Sequence, residues 1–295
     1  MGGMSAEREV SLSSGAAVAE ALESLGNYKV STLDAGRDVA EKLAALNPDV
    51  VFNALHGTYG EDGCIQGVLE TLKIPYTHSG VLASSLAMDK PMAKRVFAAE
   101  GIVCAEGVVL DFAALKRDGA GIDYPVVVKP TDDGSSVGVT ISSNAEEVAA
   151  LDYADDAVLL IERYIPGREI QVAVLENKAL GAIEIKPNQG FYDYEAKYTD
   201  GKAEHIMPAP LPDDKYAEVL ALGLKAHQAL GCRGLSRTDF RYNDTEHGDR
   251  KFTILETNTQ PGMTPLSLAP EIAAHIGIDF ASLVQQLVES ATLDR

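Results

Sequence analysis

The chain predicts an α/β fold that becomes α+β in its C-terminal half. Over the first eighty residues, apolar positions switch between helical and strand spacing in the order α-β-α-β, the pattern of a small parallel sheet covered by helices. From about residue 163 the chain shows several strand patterns, among them Glu169–Glu176 and Lys178–Ile185, together with a long helix and a terminal one. No stretch of about 20–50 residues repeats, which excludes a solenoid or propeller.

Leu12, Ala16, Ala19, Leu22 and Leu25 recur at helical spacing, with Ser11 as N-cap and Gly26 as stop. Tyr28–Leu33 reads as a strand and Gly36–Leu46 as a helix. Asp49–Leu55 is an apolar strand running into His56-Gly-Thr-Tyr-Gly-Glu-Asp-Gly63, followed by a helix over Gly67–Leu72 and a strand over Ile74–Thr77. This first unit, residues 1–80, is Rossmann-like.

A second unit, residues 81–162, opens on a helix, Ser84–Glu100, broken near Pro91. Strands Val108–Leu110 and Val126–Lys129, a glycine-serine loop (Gly134–Gly138), strand Val139–Ser142, helix Ala145–Leu151 and strand Ala157–Ile161 complete it. The third unit, residues 163–295, adds strands Glu169–Glu176, Lys178–Ile185 and Phe252–Thr257 and helices Asp213–Leu230 and Phe280–Glu289.

A net charge of −19 opposes binding to nucleic acid or to an anionic membrane, both of which need basic faces. It leaves room for an anionic nucleotide held by a few local cations. Cys64, Cys104 and Cys232 form no C-x-x-C pair, so neither a disulfide framework nor a zinc site is expected, and a reducing cytoplasm fits. No apolar run reaches membrane length and no signal peptide is read.

Residues two apart on a strand share a face, so Arg237 with Asp239, and Glu256 with Asn258, each point the same way. Two neighbouring strands would assemble Asp239, Glu256 and Asn258 into an all-oxygen set suited to Mg²⁺ held together with phosphates. The plain alternative is surface polarity on edge strands. Lys129 closes an apolar strand at a sheet rim, and the glycine-serine loop after it can drape backbone amides over phosphate, although alone it is more often a turn. Leu159–Ile161 runs through Glu162 and Ile165-Pro-Gly-Arg-Glu169, an interdomain crossing with groups for an adenine ring and a ribose, or simply a linker. His56, before a glycine, reads alone as a turn residue.

Together these segments resemble the ATP-grasp enzymes and, within them, the D-alanine–D-alanine ligase family. The resemblance runs essentially end to end. It rests on Gly2-Gly-x-Ser-x-Glu-Arg-Glu-Val-Ser11, His56–Gly63, Met88-Asp-Lys90, Gly134-Ser-Ser-Val-Gly138, Phe191-Tyr-Asp-Tyr-Glu-Ala-Lys-Tyr198 and Glu256-Thr-Asn-Thr-Gln-Pro-Gly-Met-Thr264. It implies a two-lobed ATP-grasp fold after the Rossmann-like unit, with ATP as substrate, two Mg²⁺ or Mn²⁺ ions, D-alanine as the other substrate, and a homodimer.

It also implies residue roles. Lys90 and Lys129 would hold the α and β phosphates and Lys197 the γ phosphate. Glu162, Ile165 and Glu169 would bind the nucleoside. Asp239, Glu256 and Asn258 would bind the metals. Arg237 and the Gly262 N–H would stabilise the oxyanion. Glu7 and His56 would receive the first D-alanine, Ser267 and the Leu268 N–H the second. Phe191–Tyr198 would be a closing loop whose Tyr198 bonds Ser135 and Glu7; that loop goes with dipeptide formation rather than D-alanyl-D-lactate formation. Two alternatives stay open: an ATP-grasp ligase for another carboxylate and amine, and a non-catalytic nucleotide-binding protein.

In the family an apolar strand of about six residues precedes the glycine pair. Here only Met1 stands before it. The expectation is a Rossmann-like unit lacking its first strand, with a groove in its sheet, Glu7 on an unsupported loop, and lower stability and activity than a chain carrying the strand.

Overall fold

In the computed structural model, residues 1–131, 138–187 and 203–294 are described. The strands gather into two antiparallel sheets. The first joins β1 (Gly107–Asp111), β2 (Val126–Pro130), β3 (Thr140–Ser142) and β4 (Val158–Arg163) in the order β1-β4-β2-β3. The second joins β5 (Arg168–Leu175), β6 (Lys178–Pro187), β7 (Ala203–Ile206), β8 (Leu235–Tyr242) and β9 (Phe252–Asn258) in the order β7-β6-β5-β8-β9. The crossing read at 163–169 is the passage from β4 in one sheet to β5 in the other.

The second sheet is covered on both faces, which is why every residue of β5 after Arg168 is buried, Glu169 and Gln171 included. Ile170, Val172 and Val174 face α8 (Asp213–Leu230) and α5 (Lys90–Ala99) in a core with Val219, Ala226 and Phe97. Ala173 and Leu175 point the other way, toward α9 (Leu268–His275), α10 (Phe280–Glu289) and α1 (Arg8–Leu25), in a core holding Val18, Leu22, Ile272 and Leu283. Each such aliphatic side chain contributes roughly 1.5–3 kcal/mol on burial. The first sheet has its own core of Phe112, Leu115, Val128, Val148 and Ile161, built with α6 (Phe112–Asp118) and α7 (Ala145–Ala149).

His227 of α8 sits in the second sheet's packing with its Nδ1 2.7 Å from Ser236 Oγ. Burial lowers its pKa to about 4 from the ordinary 6.5. The unfolded chain takes up this proton near pH 6.5, which the folded chain refuses until about pH 4. The contribution is therefore complete above pH 6.5 and drains away as pH falls toward 4. At pH 5 the loss is about 2 kcal/mol. Melting curves at pH 7 and pH 5 should differ less for His227→Gln than for the parent; equal pH dependence would contradict this.

Several sequence expectations need correction. The first helix begins at Arg8, not after Ser11. Ser11 lies inside it and donates to the Ala54 carbonyl at 2.6 Å, a tertiary bond that no local cap pattern reveals. The helix over Gly36–Leu46 is confined to α2 (Val39–Leu46), and α3 (Cys64–Leu72) starts a turn before Gly67. Pro91 does not interrupt a helix but opens one. α4 (Val81–Met88) ends, Asp89 accepts from the Met92 N–H at 2.9 Å as N-cap, and α5 follows. Proline suits the first helical turn because its missing N–H has no partner there anyway.

The largest departure is in the first unit. Tyr28–Leu33, Asp49–Leu55 and Ile74–Thr77 do not form ladders. Only isolated bridges occur, Val51 to Tyr76 in parallel and Tyr76 to Thr292 antiparallel. The reason is geometric: 28–33 and 50–55 face each other across a groove of about 560 Å³, lined also by Val18 and Leu22 of α1 and by Ile65 and Val288. At one end the Met1 ammonium donates to the Leu33 carbonyl and the Ala35 N–H donates to the Met1 carbonyl, both at 3.1 Å. That is the bonding of one residue in a parallel ladder.

Candidate active site

The glycine pair that opens the chain is a constrained loop. Gly2 and Gly3 have φ of 77° and 88°, and a side chain at Gly2 would strike the Asp34 carboxylate at 2.2 Å. Arg8 clamps the loop with two bonds to Asp34, 2.7 and 2.5 Å, and one to the Gly3 carbonyl at 3.0 Å. The Arg8 hydrogen bond holds the Asp34 carboxyl at about 2.

Glu7 stands at the N-cap of α1, buried, its Oε1 3.0 Å from where a side chain on Gly57 would begin. Ser5 Oγ donates to the His56 carbonyl at 2.6 Å and accepts from the Glu7 N–H at 3.2 Å, fixing the two loops together. The structure thus brings Glu7 and His56 side by side.

His56 is not a turn residue. Its ring is 4 % exposed and bonded at both nitrogens, Nδ1 to Glu61 Oε1 and Nε2 to Ser14 Oγ, each at 3.1 Å. Ser14 Oγ also accepts from the Met263 N–H at 3.2 Å. In the tautomer with its hydrogen on Nδ1, the ring donates to the Glu61 carboxylate and accepts from the Ser14 hydroxyl, which satisfies every partner. The chain Glu61–His56–Ser14–Met263 ties the first unit to the turn beside Gly262. Gln260 reinforces the junction by accepting from Asn53 Nδ2 at 2.6 Å and donating to the Leu55 carbonyl.

Ser267 stands at the N-cap position of α9 with its hydroxyl making no cap bond, and lies opposite Gly262, where an added Cβ would stand 3.0 Å from that hydroxyl. Its Oγ accepts from the Thr264 N–H at 3.1 Å and is 2.9 Å from Thr264 Oγ1. Leu268 opens the helix, where backbone N–H groups have no helical acceptor and the dipole favours an anion.

On the second sheet the register delivers the expected set. Asp239 pairs with Glu256 and Arg237 with Asn258. Arg237 holds Asp239 by two bonds, 2.8 and 2.9 Å, and Asn258 Oδ1 accepts from the Gln260 N–H at 2.7 Å. Asp239, Glu256 and Asn258 offer only hard oxygen donors, which fits Mg²⁺ or Mn²⁺. Among the described residues no three His, Cys, Asp or Glu converge on one point, so any cation here completes its shell with phosphate oxygens or water.

On the first sheet Lys129 and Glu162 share a face across β2 and β4, and Lys129 Nζ lies 2.5 Å from Glu162 Oε2. The other oxygen receives Lys94. Burial alone would raise the Glu162 pKa, but the two ammonium groups outweigh it and hold the carboxyl below its usual range. Lys90 is buried at the start of α5, its N–H bonded to the Thr131 carbonyl at 3.2 Å. Glu169 faces Arg241 at 3.7 Å and accepts from Gln171 at 3.3 Å, while the Ile165 carbonyl accepts from Arg241 Nε at 3.1 Å. Ser135, Lys197, Tyr198 and the closing loop lie outside the described residues.

Sequence reading missed Lys94, Ser14, Glu61 and Gln260. Lys94 had a signal, its place four residues after Lys90 on one helix face. Ser14 and Gln260 act through tertiary bonds with no local signature, whereas Glu61 lies five residues from His56 inside the His56–Gly63 segment.

Two antiparallel sheets, one presenting buried Lys129 with Lys90 and Lys94 of α5 nearby and the other an Arg–Asp pair beside Glu256 and Asn258, fit a nucleotide-dependent ligase of the ATP-grasp class. Known proteins agree. Residues 110–289 match the model of the D-ala D-ala ligase C-terminus and residues 31–79 that of the N-terminus. D-alanine–D-alanine ligases of Methylocella silvestris and Paramagnetospirillum magneticum are 55% and 53% identical, each alignment covering 100% of this chain and 97% of the relative. A crystal structure of the Bacillus anthracis D-alanine–D-alanine ligase, 35% identical, superposes with a TM-score of 0.83 over 98% of this chain and 95% of that one. The VanG D-Ala:D-Ser ligase from Enterococcus faecalis, 27% identical, gives 0.81 over 98% and 97%. The chain belongs to the D-alanine–D-alanine ligase family.

Proposed function

We propose that the chain joins two D-alanine molecules at the expense of ATP, through a D-alanyl phosphate, to supply the dipeptide of peptidoglycan. The observation that carries this reading is the hydrogen-bonded chain Glu61–His56–Ser14–Met263, which sets the loop for the first D-alanine against the Gly262 turn where its carboxylate reacts.

The task is to bring two carboxylates and a triphosphate together against their mutual repulsion. Lys90 and Lys129 bind the α and β phosphates, and Lys197 the γ phosphate. Glu162, Ile165 and Glu169 hold the nucleoside. Glu7 accepts from the ammonium of the first D-alanine while His56 lies near its carboxylate. Arg237 and the Gly262 N–H donate to the oxygen that becomes negative when the second amine attacks the acyl carbon. Ser267 and the Leu268 N–H orient that second D-alanine by its carboxylate. Asp239, Glu256 and Asn258 would hold two divalent cations, which supply charge neutralisation for phosphoryl transfer. Tyr198, with Ser135 and Glu7, completes a lid that keeps water from the acyl phosphate. The reading includes division of the chain at 80 and 162, a cytoplasmic location and a homodimer.

The test is ADP release and dipeptide formation with D-alanine, against L-alanine, D-lactate and D-serine as second substrate. D-Alanine alone should support full turnover. Turnover only with another acceptor would assign the chain to a different ligase, and nucleotide binding without turnover under every acceptor would make it a binding protein.

A further inference from the structure

Lys94 rises from α5 one turn after Lys90. Its ammonium donates to the Ala105 carbonyl at 2.7 Å and to Glu162 Oε1. Glu162, its side chain 6 % exposed, is thus held between Lys94 and Lys129. The two lysines are not equivalent. Lys94 is anchored to a backbone carbonyl as well, whereas Glu162 is the partner of Lys129 among the described residues. Lys129 can turn away without stranding a second bond; Lys94 cannot. Gly107 faces Glu162 across the β1–β4 ladder, and a Cβ there would stand 2.9 Å from Lys94 Nζ and 3.0 Å from Glu162 Cγ. The lysine occupies the space that a side chain at 107 would take.

Resting on the nucleotide-site reading above, we propose that Lys94 is a positioning residue that sets base selectivity. It keeps Glu162 an ionised acceptor after phosphate has drawn Lys129 away. An ionised carboxylate only accepts hydrogen bonds, so it selects a base presenting an amino group, as adenine does at C6. Without Lys94 a buried carboxyl left alone takes up a proton, and its hydroxyl can then donate to a carbonyl such as that of hypoxanthine. Lys94 therefore acts through Glu162 and touches no reacting atom.

The experiment measures ATP and ITP binding to the full chain by calorimetry, without D-alanine, and then kcat and KM. Lys94→Met should weaken ATP by about tenfold or more, a charge-assisted hydrogen bond's worth. ITP should change little, so the ATP:ITP ratio narrows. ATP binding by this variant should strengthen as pH rises, while the parent stays flat, and kcat at saturating ATP should hold. Lys94→Arg should restore the ratio. If Lys94→Met does not fold, Glu162→Gln carries the same expectation of a narrowed ratio. An unchanged ATP:ITP ratio in a parent that binds ATP overturns the proposal alone, as does equal loss of both nucleotides without rescue by arginine. A parent that binds no ATP overturns the nucleotide-site reading and the proposal with it.

Discussion

Arg237→Met lowers kcat by about 10²–10³, the effect of deleting one donor to a developing oxyanion. Two features make this the most sensitive position of the site. The guanidinium is held in place by two bonds to Asp239, so it is oriented before substrate arrives. The same substitution leaves Asp239 buried without its partner, which costs several kcal/mol where a buried pair is broken from one side. Arg237→Met/Asp239→Asn removes the stranded charge, so its melting temperature should recover; its turnover stays low on either count, because Asp239 is also a proposed metal ligand, and the kinetic test therefore rests on the single variants. Arg237→Lys keeps the charge but not the two-pronged geometry, and should stay far below the parent. Steady-state ADP release with D-alanine measures all three. A kcat within about threefold of the parent in Arg237→Met would remove this residue from the oxyanion role.

The second large effect concerns the groove beside Met1. A variant extended ahead of Met1 by six apolar, β-branched residues should melt at least about 5 °C higher, since a few buried aliphatic side chains contribute roughly 1.5–3 kcal/mol each before the entropy of ordering the segment is subtracted. The direction and register of such a strand are set by Met1 itself, already bonded to Leu33 and Ala35 as one rung of a parallel ladder. A strand there would give 28–33 and 50–55 the neighbour that neither supplies to the other. Turnover should rise as well, because the added strand would anchor the chain directly ahead of the Gly2–Gly3 turn that leads into Glu7. Equal melting temperature and equal turnover for the two chains would refute the prediction. An extension of the same length with alternate residues replaced by lysine controls for added length.

What the sequence disclosed, and what it hid, follows from range. Arg237, Asp239, Glu256 and Asn258 were legible because a period of two on adjacent strands needs no tertiary knowledge, and the register placed them as expected. The helices Asp213–Leu230 and Phe280–Glu289 were legible for the same reason at a period of 3.6. In the first unit the expected groove is present between 28–33 and 50–55; the expected strands themselves form no ladder, because a ladder needs a neighbour at about 4.8 Å, which β-rich composition cannot report. Phe112–Asp118 is hard to read because seven residues make only about two turns, too few for a period to show, although Asp111 caps it by accepting from the Ala114 N–H. His56 was read alone as a turn residue because Ser14 and Met263, its links to the far lobe, are 42 residues and more than 200 residues away.

The core that joins α1 to α10 has a consequence for synthesis. Val18, Ala21 and Leu22 are buried against residues as late as Leu283, Val284 and Leu287, and Asp294 caps the Val81 N–H across 213 residues. A ribosome delivers the first helix long before its partners. Its apolar face must wait, uncovered, until the residues around Leu283 have emerged, while the middle sheet with its private core can close on the way. This core is therefore the late-closing part of the fold, and the face of α1 is the apolar surface left open meanwhile.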